Sequence, residues 1–287
     1  MKKNYQEGIQ DTLLAKGIQV RWFNDACYEI KLPNGKTILL DPYINKSPYK
    51  LLGTGDVTGA DYMILSHTHF DHVMDVKELS QKFNSKIFVG KASAIELACY
   101  YDIPGYRIYP CAAGDVFEMG DFTLEVIFGK HTNMGGMDCP GNMANNLKHF
   151  GLEPEMASVM TCGSYEYCNF LITLPDNTQI LIWGGEASVE AVNRAGHYHP
   201  DISIVQIPRE PAEQIAQLYL AVGGKVIFPH HHETILDLEG GKERIEEMLA
   251  IVEQSNPYLN VICPKKGKWY SIQLAVTEEN SVLETTK

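Results

Sequence analysis

The chain lacks several features that would assign it to common functional classes. It has no apolar run long enough to span a membrane, and its first residues lack the apolar core of a secretory signal. Basic residues are outnumbered, with 24 Lys and Arg against 36 Asp and Glu, which gives a formal net charge of −12. Because phosphate binding needs a basic surface, this balance argues against a nucleic-acid partner. We therefore expect a cytoplasmic protein that acts on a small molecule and has neither a membrane nor a nucleic-acid partner.

Further absences narrow the chemistry. None of the seven cysteines forms a CxxC pair, and an odd number of cysteines without a secretory signal is typical of reduced thiols in a cytoplasm. The sequence contains neither the GxSxG of serine hydrolases nor the GxxxxGK[ST] of phosphate-binding loops. At 287 residues and 45% hydrophobic content, the chain can bury the core of one large domain. The sequence thus predicts a globular protein without a nucleophilic-serine or nucleotide-phosphate motif.

What the sequence does contain is a dense group of metal-binding residue types at 66–72. The preceding apolar residues 62–65 predict a buried strand, and apolar residues at helical spacing follow. Alternate side chains of an extended loop share a side, so His67 and His69 can bind one ion, while Asp71 and His72 can serve a neighbouring position. Imidazole and carboxylate ligands suit zinc, manganese or iron better than calcium or magnesium. The alternative, a polar loop whose histidines only satisfy backbone groups, explains this spacing less well.

Residues 67–72 match the HxHxDH signature of the metallo-β-lactamase superfamily. Other matching segments occur in that superfamily's order: Asp-Pro at 41–42, a histidine at 131, Gly-Gly-Glu at 184–186 and Pro-His-His at 229–231. The chain resembles this superfamily over about residues 18–270, and within it most closely the branch that contains ascorbate-6-phosphate lactonase. The residue pattern alone indicates a single domain of the α/β or α+β class. The resemblance implies the four-layer αββα sandwich, with ligands along one rim.

The resemblance also implies a site for two divalent ions, zinc or manganese in the first instance, with iron as a further possibility. One ion would be bound by His67, His69 and His131, and the other by Asp71, His72 and His231. Asp71 would also be catalytic, carrying a proton to the leaving group. Asp41 would orient ligating imidazoles rather than bind an ion itself.

Four further residues are candidates for the site. Glu186 stands where the superfamily has an aspartate that bridges both ions, and its longer side chain could bridge them, bind one ion or bind none. His230 and His232 flank the expected ligand and are candidates for substrate binding, as is Arg209 at the end of a predicted strand. A simple surface position is the alternative for these last three.

Residues 132–163 are rich in Gly and Met and show no regular pattern. A segment of this length is typical of a lid or a substrate-facing loop, so we predict an active-site loop or insertion here. Methionines adapt to varied apolar surfaces, which suits either a substrate pocket or a contact in a homo-oligomer.

The predicted function is a metal-dependent hydrolase acting on an ester-like bond of a small metabolite, with a lactone as the first expectation. A phosphodiesterase acting on a small phosphodiester is the nearest alternative, because the same ions act on phosphorus. An iron-dependent redox enzyme, using oxygen or persulfide, is a third possibility. His69 argues against one such pattern, the flavodiiron site, in which glutamate commonly occupies the corresponding place. A non-catalytic binding protein is the last alternative, and the nearly complete ligand set argues against it.

Overall fold

The computed structural model describes residues 17–132, 147–148 and 151–273. A helix expected over residues 5–16 and much of the expected active-site loop, residues 133–146, lie outside the described residues. The strands are β1 (Ile18–Asn24), β2 (Cys27–Lys31), β3 (Thr37–Leu40), β4 (Tyr62–Ile64), β5 (Lys86–Gly90), β6 (Ile108–Cys111), β7 (Val116–Glu118), β8 (Thr123–Gly129), β9 (Tyr167–Thr173), β10 (Gln179–Trp183), β11 (Ile202–Gln206), β12 (Val226–His230), β13 (Asn260–Val261) and β14 (Trp269–Ile272). The α-helices are α1 (Phe70–Val73), α2 (Val76–Phe83), α3 (Lys91–Tyr101), α4 (Ala157–Tyr165), α5 (Val189–Ala195), α6 (Ala212–Val222), α7 (His232–Leu236) and α8 (Gly241–Ser255). Short 3-10 turns cover Thr54–Asp56, Gly105–Arg107 and Pro154–Met156.

The strands form two mixed sheets with matching topologies. The first has the order β14-β1-β2-β3-β4-β5-β6 and the second the order β13-β12-β11-β10-β9-β8-β7. In each sheet, three antiparallel pairs are followed by three parallel pairs. Helices connect the parallel strands along the chain, as expected because parallel strands need a crossover connection, except that β3 and β4 are joined through the 3-10 turn Thr54–Asp56.

Three apolar clusters show how the layers stack. One joins the inner faces of both sheets, with Tyr28 and Ile38 from the first and Phe170 and Phe228 from the second. A second cluster lies between the first sheet and α1 to α4, and a third between the second sheet and α5 to α8. Because each sheet is buried on both faces, the layers are helix, sheet, sheet and helix. The predicted αββα sandwich is confirmed.

The end of the segment predicted to be irregular is helical. After the turn Pro154–Met156, helix α4 buries Val159 and Met160 in the cluster that covers the first sheet. The sequence has a few apolar residues at helical spacing here, but the high Gly and Met content of residues 132–163 favours a loop. The part of the segment that is described therefore forms an ordered wall over the first sheet.

Strand ends and loops from both sheets meet along one rim. Strand β4 leads into the 66–72 segment, β8 into His131, β11 into Gln206 and the residues after it, and β12 into His231. Among the helices in the described residues, none is both long enough and apolar enough to cross a bilayer.

Candidate metal centre

The 66–72 segment turns from strand β4 into helix α1 at the rim, and Asp41 fixes that turn. Asp41 follows β3 with a positive φ of 38°, a backbone conformation that aspartate tolerates better than most residues. Its carboxylate accepts hydrogen bonds from the Ser66 amide at 2.8 Å and the Ser66 hydroxyl at 2.7 Å, and it lies 2.9 Å from His72 Nδ1. The structure thus places Asp41 where the sequence resemblance puts it, beside a candidate ligand.

The first candidate ligand group consists of His67, His69 and His131. One nitrogen from each ring lies within 4.8 Å of the others. The ring centroids are 4.5 Å apart for His67 and His69, 4.9 Å for His67 and His131, and 4.7 Å for His69 and His131. This spacing suits three imidazoles around one tetrahedral ion with an open position.

The second group consists of Asp71, His72 and His231, whose ligand atoms also lie within 4.8 Å of one another. His72 Nε2 is 3.3 Å from His231 Nε2 and 3.8 Å from Asp71 Oδ2. His231 has a positive φ of 56°, and this turn between β12 and α7 directs its side chain to the site. The rings of His67 and His72 are only 4.0 Å apart, so the two groups are immediate neighbours.

Hydrogen bonds to one nitrogen of a ring leave the other nitrogen for an ion. His67 Nδ1 lies 3.1 Å from Ser66 Oγ, and His131 Nδ1 lies 2.8 Å from the Thr132 carbonyl oxygen. His69 shows the opposite arrangement, because its Nε2 lies 2.9 Å from Ser164 Oγ. His67 Nε2 is buried and has no hydrogen-bond partner among the described residues. A buried polar atom of this kind is costly unless something binds it, so the donor set fits a metal ion.

The titration of the imidazoles depends on burial and on their neighbours. Burial lowers the pKa of His67 and of His69 well below the ordinary value, and neighbouring imidazoles lower both further. Burial also lowers the pKa of His72, but the carboxylates of Asp41 and Asp71 outweigh this effect and raise it to about 9. Neutral imidazole is the form that binds an ion, so His72 is the ligand for which a proton and an ion compete most directly.

Both groups line one open pocket with a cavity volume of about 240 Å³. Arg209, predicted to bind substrate, is exposed and lies on this pocket, beyond the end of β11. Helix α4 contributes Met160, whose sulfur accepts a hydrogen bond from the Phe70 amide at 3.0 Å. The late part of the predicted active-site segment therefore does reach the pocket.

Glu186 is not brought to either ligand group. Its carboxylate accepts a hydrogen bond from Lys130 Nζ at 3.0 Å, and it lines a separate, smaller cavity. Gly185 has a positive φ of 90°, and the Glu186 amide donates to the Lys130 carbonyl oxygen at 3.0 Å. This turn places the carboxylate against Lys130 rather than in either ligand group, and the role of Glu186 as a metal ligand stays a prediction.

His230 and His232 are the two remaining candidates from the sequence. Both are buried, at 3% and 9% exposure, and neither lines the pocket. His230 Nε2 donates to the Trp183 carbonyl oxygen at 3.2 Å, and the His232 ring lies 4.3 Å from the Trp22 ring. The alternative of a simple surface position is wrong for both, and of the three histidines only His231 lines the pocket. A substrate-binding role for His230 and His232 stays a prediction.

Sequence reasoning missed four residues of the site. Asp25 Oδ1 lies 3.8 Å from His231 Nδ1, and Ser164 contacts His69. Tyr167 and Gln206 line the pocket, and burial, followed by the Asp41 carboxylate, raises the pKa of Tyr167 above its ordinary value. Gln206 lies near the end of a predicted strand, which is a weak signal, and the other three had none.

Replacing Asp41 with asparagine should weaken metal binding by about 10- to 100-fold, because Asp41 orients His72 and makes its imidazole a better ligand. A titration of the purified variant against a competing chelator would measure the change. Asp61→Asn is the matched control, since Asp61 bonds to Lys36 and Thr37 instead. Equal metal affinities for the wild-type and Asp41→Asn proteins would contradict this role.

Comparisons with known proteins agree with this geometry. Residues 19–153 match the family model of the β-lactamase superfamily domain. A protein of Myxococcus xanthus named UPF0173 metal-dependent hydrolase is 23% identical over 255 residues, which cover 87% of this chain and 81% of that protein. Together with the fold and the two ligand groups, these matches agree with the resemblance to the metallo-β-lactamase superfamily that the sequence motifs indicate. Its resemblance to the ascorbate-6-phosphate lactonase branch stays a prediction.

Solved structures show the same fold with different chemistries. Igni18, a metallo hydrolase from Ignicoccus hospitalis, matches with a TM-score of 0.66 at 14% identity, covering 90% of this chain and 99% of its own. CmlA, a diiron β-hydroxylase from Streptomyces venezuelae, matches with a TM-score of 0.58 at 10% identity, covering 90% of this chain and 54% of its own. At these identities the matches establish the fold alone, and the activity must be argued from the site.

Proposed function

We propose that this protein is a metal-dependent hydrolase that cleaves an ester-like bond of a small substrate, with a lactone as the first candidate. One observation carries the proposal: two groups of three metal-binding side chains adjoin in a single open pocket. The name of the Myxococcus xanthus relative, a metal-dependent hydrolase, agrees with this activity.

His67, His69 and His131 would hold one divalent ion, and Asp71, His72 and His231 a second, with zinc or manganese as the proposed metals. When bound, such ions would supply Lewis acidity and would lower the pKa of a water molecule. The protein contributes the fixed orientation of the rings. Ser66, Asp41, Thr132 and Ser164 each contact a ligand ring and hold it in place before substrate arrives.

Asp71 is the proposed proton carrier of the reaction. Its side chain is 31% exposed and lies on the pocket, unlike the buried carboxylate of Asp41. Hydrolysis of an ester consumes water, so the attacking oxygen loses a proton and the leaving oxygen gains one. An accessible carboxylate oxygen of Asp71 can accept the first proton and deliver it to the leaving oxygen.

The walls of the pocket favour a substrate with a mainly apolar body. Apolar side chains line much of it: Phe70, Met160, Ile207, Pro208 and Ile235. Among the described residues that line the pocket, Arg209 is the one lysine or arginine. A small lactone with a single anionic group would place its apolar part on these walls and its charge near Arg209. The same arginine is the observation that favours a small phosphodiester as the second candidate.

Elemental analysis combined with activity assays would test the proposal. Protein purified without added metal should contain about two equivalents of zinc or manganese and should open lactones. A chelator should abolish lactone opening, and added metal should restore it. Lactone opening that persists without metal would refute the mechanism. Cleavage of phosphodiesters without any action on lactones would select the second candidate.

A further inference from the structure

Tyr167 is a buried hydroxyl-bearing residue beside the first ligand group, and the reaction described above does not use it. It begins β9 and is 7% exposed, yet it lines the metal pocket. Its ring centroid lies 4.7 Å from that of His67 and 5.9 Å from that of His131. A group so close to two candidate ligands is near any substrate bound there.

Two glycines create the space that Tyr167 occupies. A Cβ atom at Gly129 would lie 2.5 Å from the Tyr167 Cδ1 atom, and a Cβ atom at Gly184 would lie 2.0 Å from the hydroxyl oxygen. Both distances are far below van der Waals contact, so any larger residue would displace the ring or the hydroxyl. Residues at the ends of β8 and β10 therefore fix the position of the phenol from two sides.

The hydroxyl group has a weak acceptor that a substrate could replace. It donates to Gln206 Oε1 across 3.4 Å, which is long for a hydrogen bond between oxygens. That same oxygen accepts a much shorter hydrogen bond, 2.7 Å, from the Gly185 amide. Gln206 would thus keep a partner if the phenol turned its proton to a more negative oxygen.

Building on the hydrolase function proposed above, we propose that Tyr167 is a catalytic residue that donates a hydrogen bond to the substrate oxygen on which negative charge develops. The phenol keeps its proton, and no bond to Tyr167 forms or breaks. A donor that is fixed in advance and shielded from water stabilises such charge without reorganising during the reaction.

Tyr167→Phe tests this role, and Tyr165→Phe is the matched control, because Tyr165 is 70% exposed. Inorganic phosphate serves as a tetrahedral oxyanion probe, and its binding to the metal-loaded protein is measured by calorimetry. Tyr167→Phe should retain its metal, bind phosphate at least about 10-fold more weakly and lower kcat about 100-fold with little change in KM. Tyr165→Phe should match the wild-type protein in all four measurements.

A second variant, Gly184→Ala, keeps the phenol but forces its hydroxyl to move, and should weaken phosphate binding similarly. Unchanged phosphate binding in Tyr167→Phe would overturn the proposal. A visible phenolate-to-iron absorption band in the iron(III)-loaded wild-type protein would also overturn it if the band were absent from Tyr167→Phe, because Tyr167 would then be a metal ligand. Phosphate binding is measured without turnover, so its result does not depend on lactone hydrolysis. A failure to open lactones would refute the proposed function but would leave the test of Tyr167 intact.

Discussion

Replacing His67 with alanine should remove one of the two bound ions and lower kcat/KM by at least about 10³-fold. That factor corresponds to about 4 kcal/mol of lost transition-state stabilisation, within the range expected when a catalytic ion is lost. His67 is 2% exposed, and its Nε2 atom is buried without a partner among the described residues. Alanine offers no ligand atom in its place, and the other two imidazoles of the group would hold an ion more weakly.

Elemental analysis and a steady-state assay on the same sample would measure both effects of His67→Ala. His199→Ala is the matched control, because His199 belongs to a second HxH sequence, at 197–199, but is exposed and outside both ligand groups. The control should keep both ions and the full rate. A His67→Ala protein with both ions and a normal rate would show that the buried nitrogen of His67 does not bind metal.

The parts of the site that could be predicted from sequence are those that local chain geometry determines. His67 and His69 alternate along an extended segment, and Asp71 and His72 follow in the first turn of a helix, so their spacing in sequence fixes their spacing in space. The matching topologies of the two sheets follow from strands that alternate with helices. The local pattern does not identify His131 and His231 as ligands of the same site, and the superfamily resemblance provides that prediction.

The expectations for Glu186, His230 and His232 concern places where one backbone angle decides the direction of a side chain. Alternation alone allows either His231 or the pair His230 and His232 to face the rim, and the positive φ of His231 selects the single residue. In the same way, the positive φ of Gly185 directs Glu186 toward Lys130. The residue type does not predict a positive φ when a residue other than glycine adopts it, as His231 does. Two neighbouring glycines, as at 184–185, allow several turn conformations, so the sequence does not specify which one forms.

The residues that sequence reasoning missed reach the site through packing between elements that are distant in the sequence. Tyr167 comes from β9, and its place depends on Gly129 and Gly184, which belong to or follow other strands of the same sheet. Ser164 reaches His69 only because helix α4 packs on the 66–72 segment, where Thr68 Oγ1 donates to the Val159 carbonyl oxygen at 2.7 Å. Contacts between residues this far apart in sequence have no local signal.

Gly185→Ala should lower the free energy of unfolding by about 3 kcal/mol or more and disturb the first ligand group. A positive φ costs a non-glycine residue about 1–3 kcal/mol, and overpacking typically adds about 1–3 kcal/mol. Both apply here, because φ is 90° and the new Cβ atom would lie 2.0 Å from the Lys130 carbonyl oxygen. Lys130 precedes His131, so moving that peptide to relieve the clash also moves a candidate ligand.

Gly35→Ala separates the clash from the backbone strain. Gly35 has nearly the same φ, 87°, in the turn between β2 and β3, but a Cβ atom there would meet nothing within 4 Å. We expect Gly35→Ala to cost only about 1 kcal/mol in urea unfolding and to leave the metal content unchanged. If Gly185→Ala were equally mild, the backbone around residues 184–186 would be free to adjust.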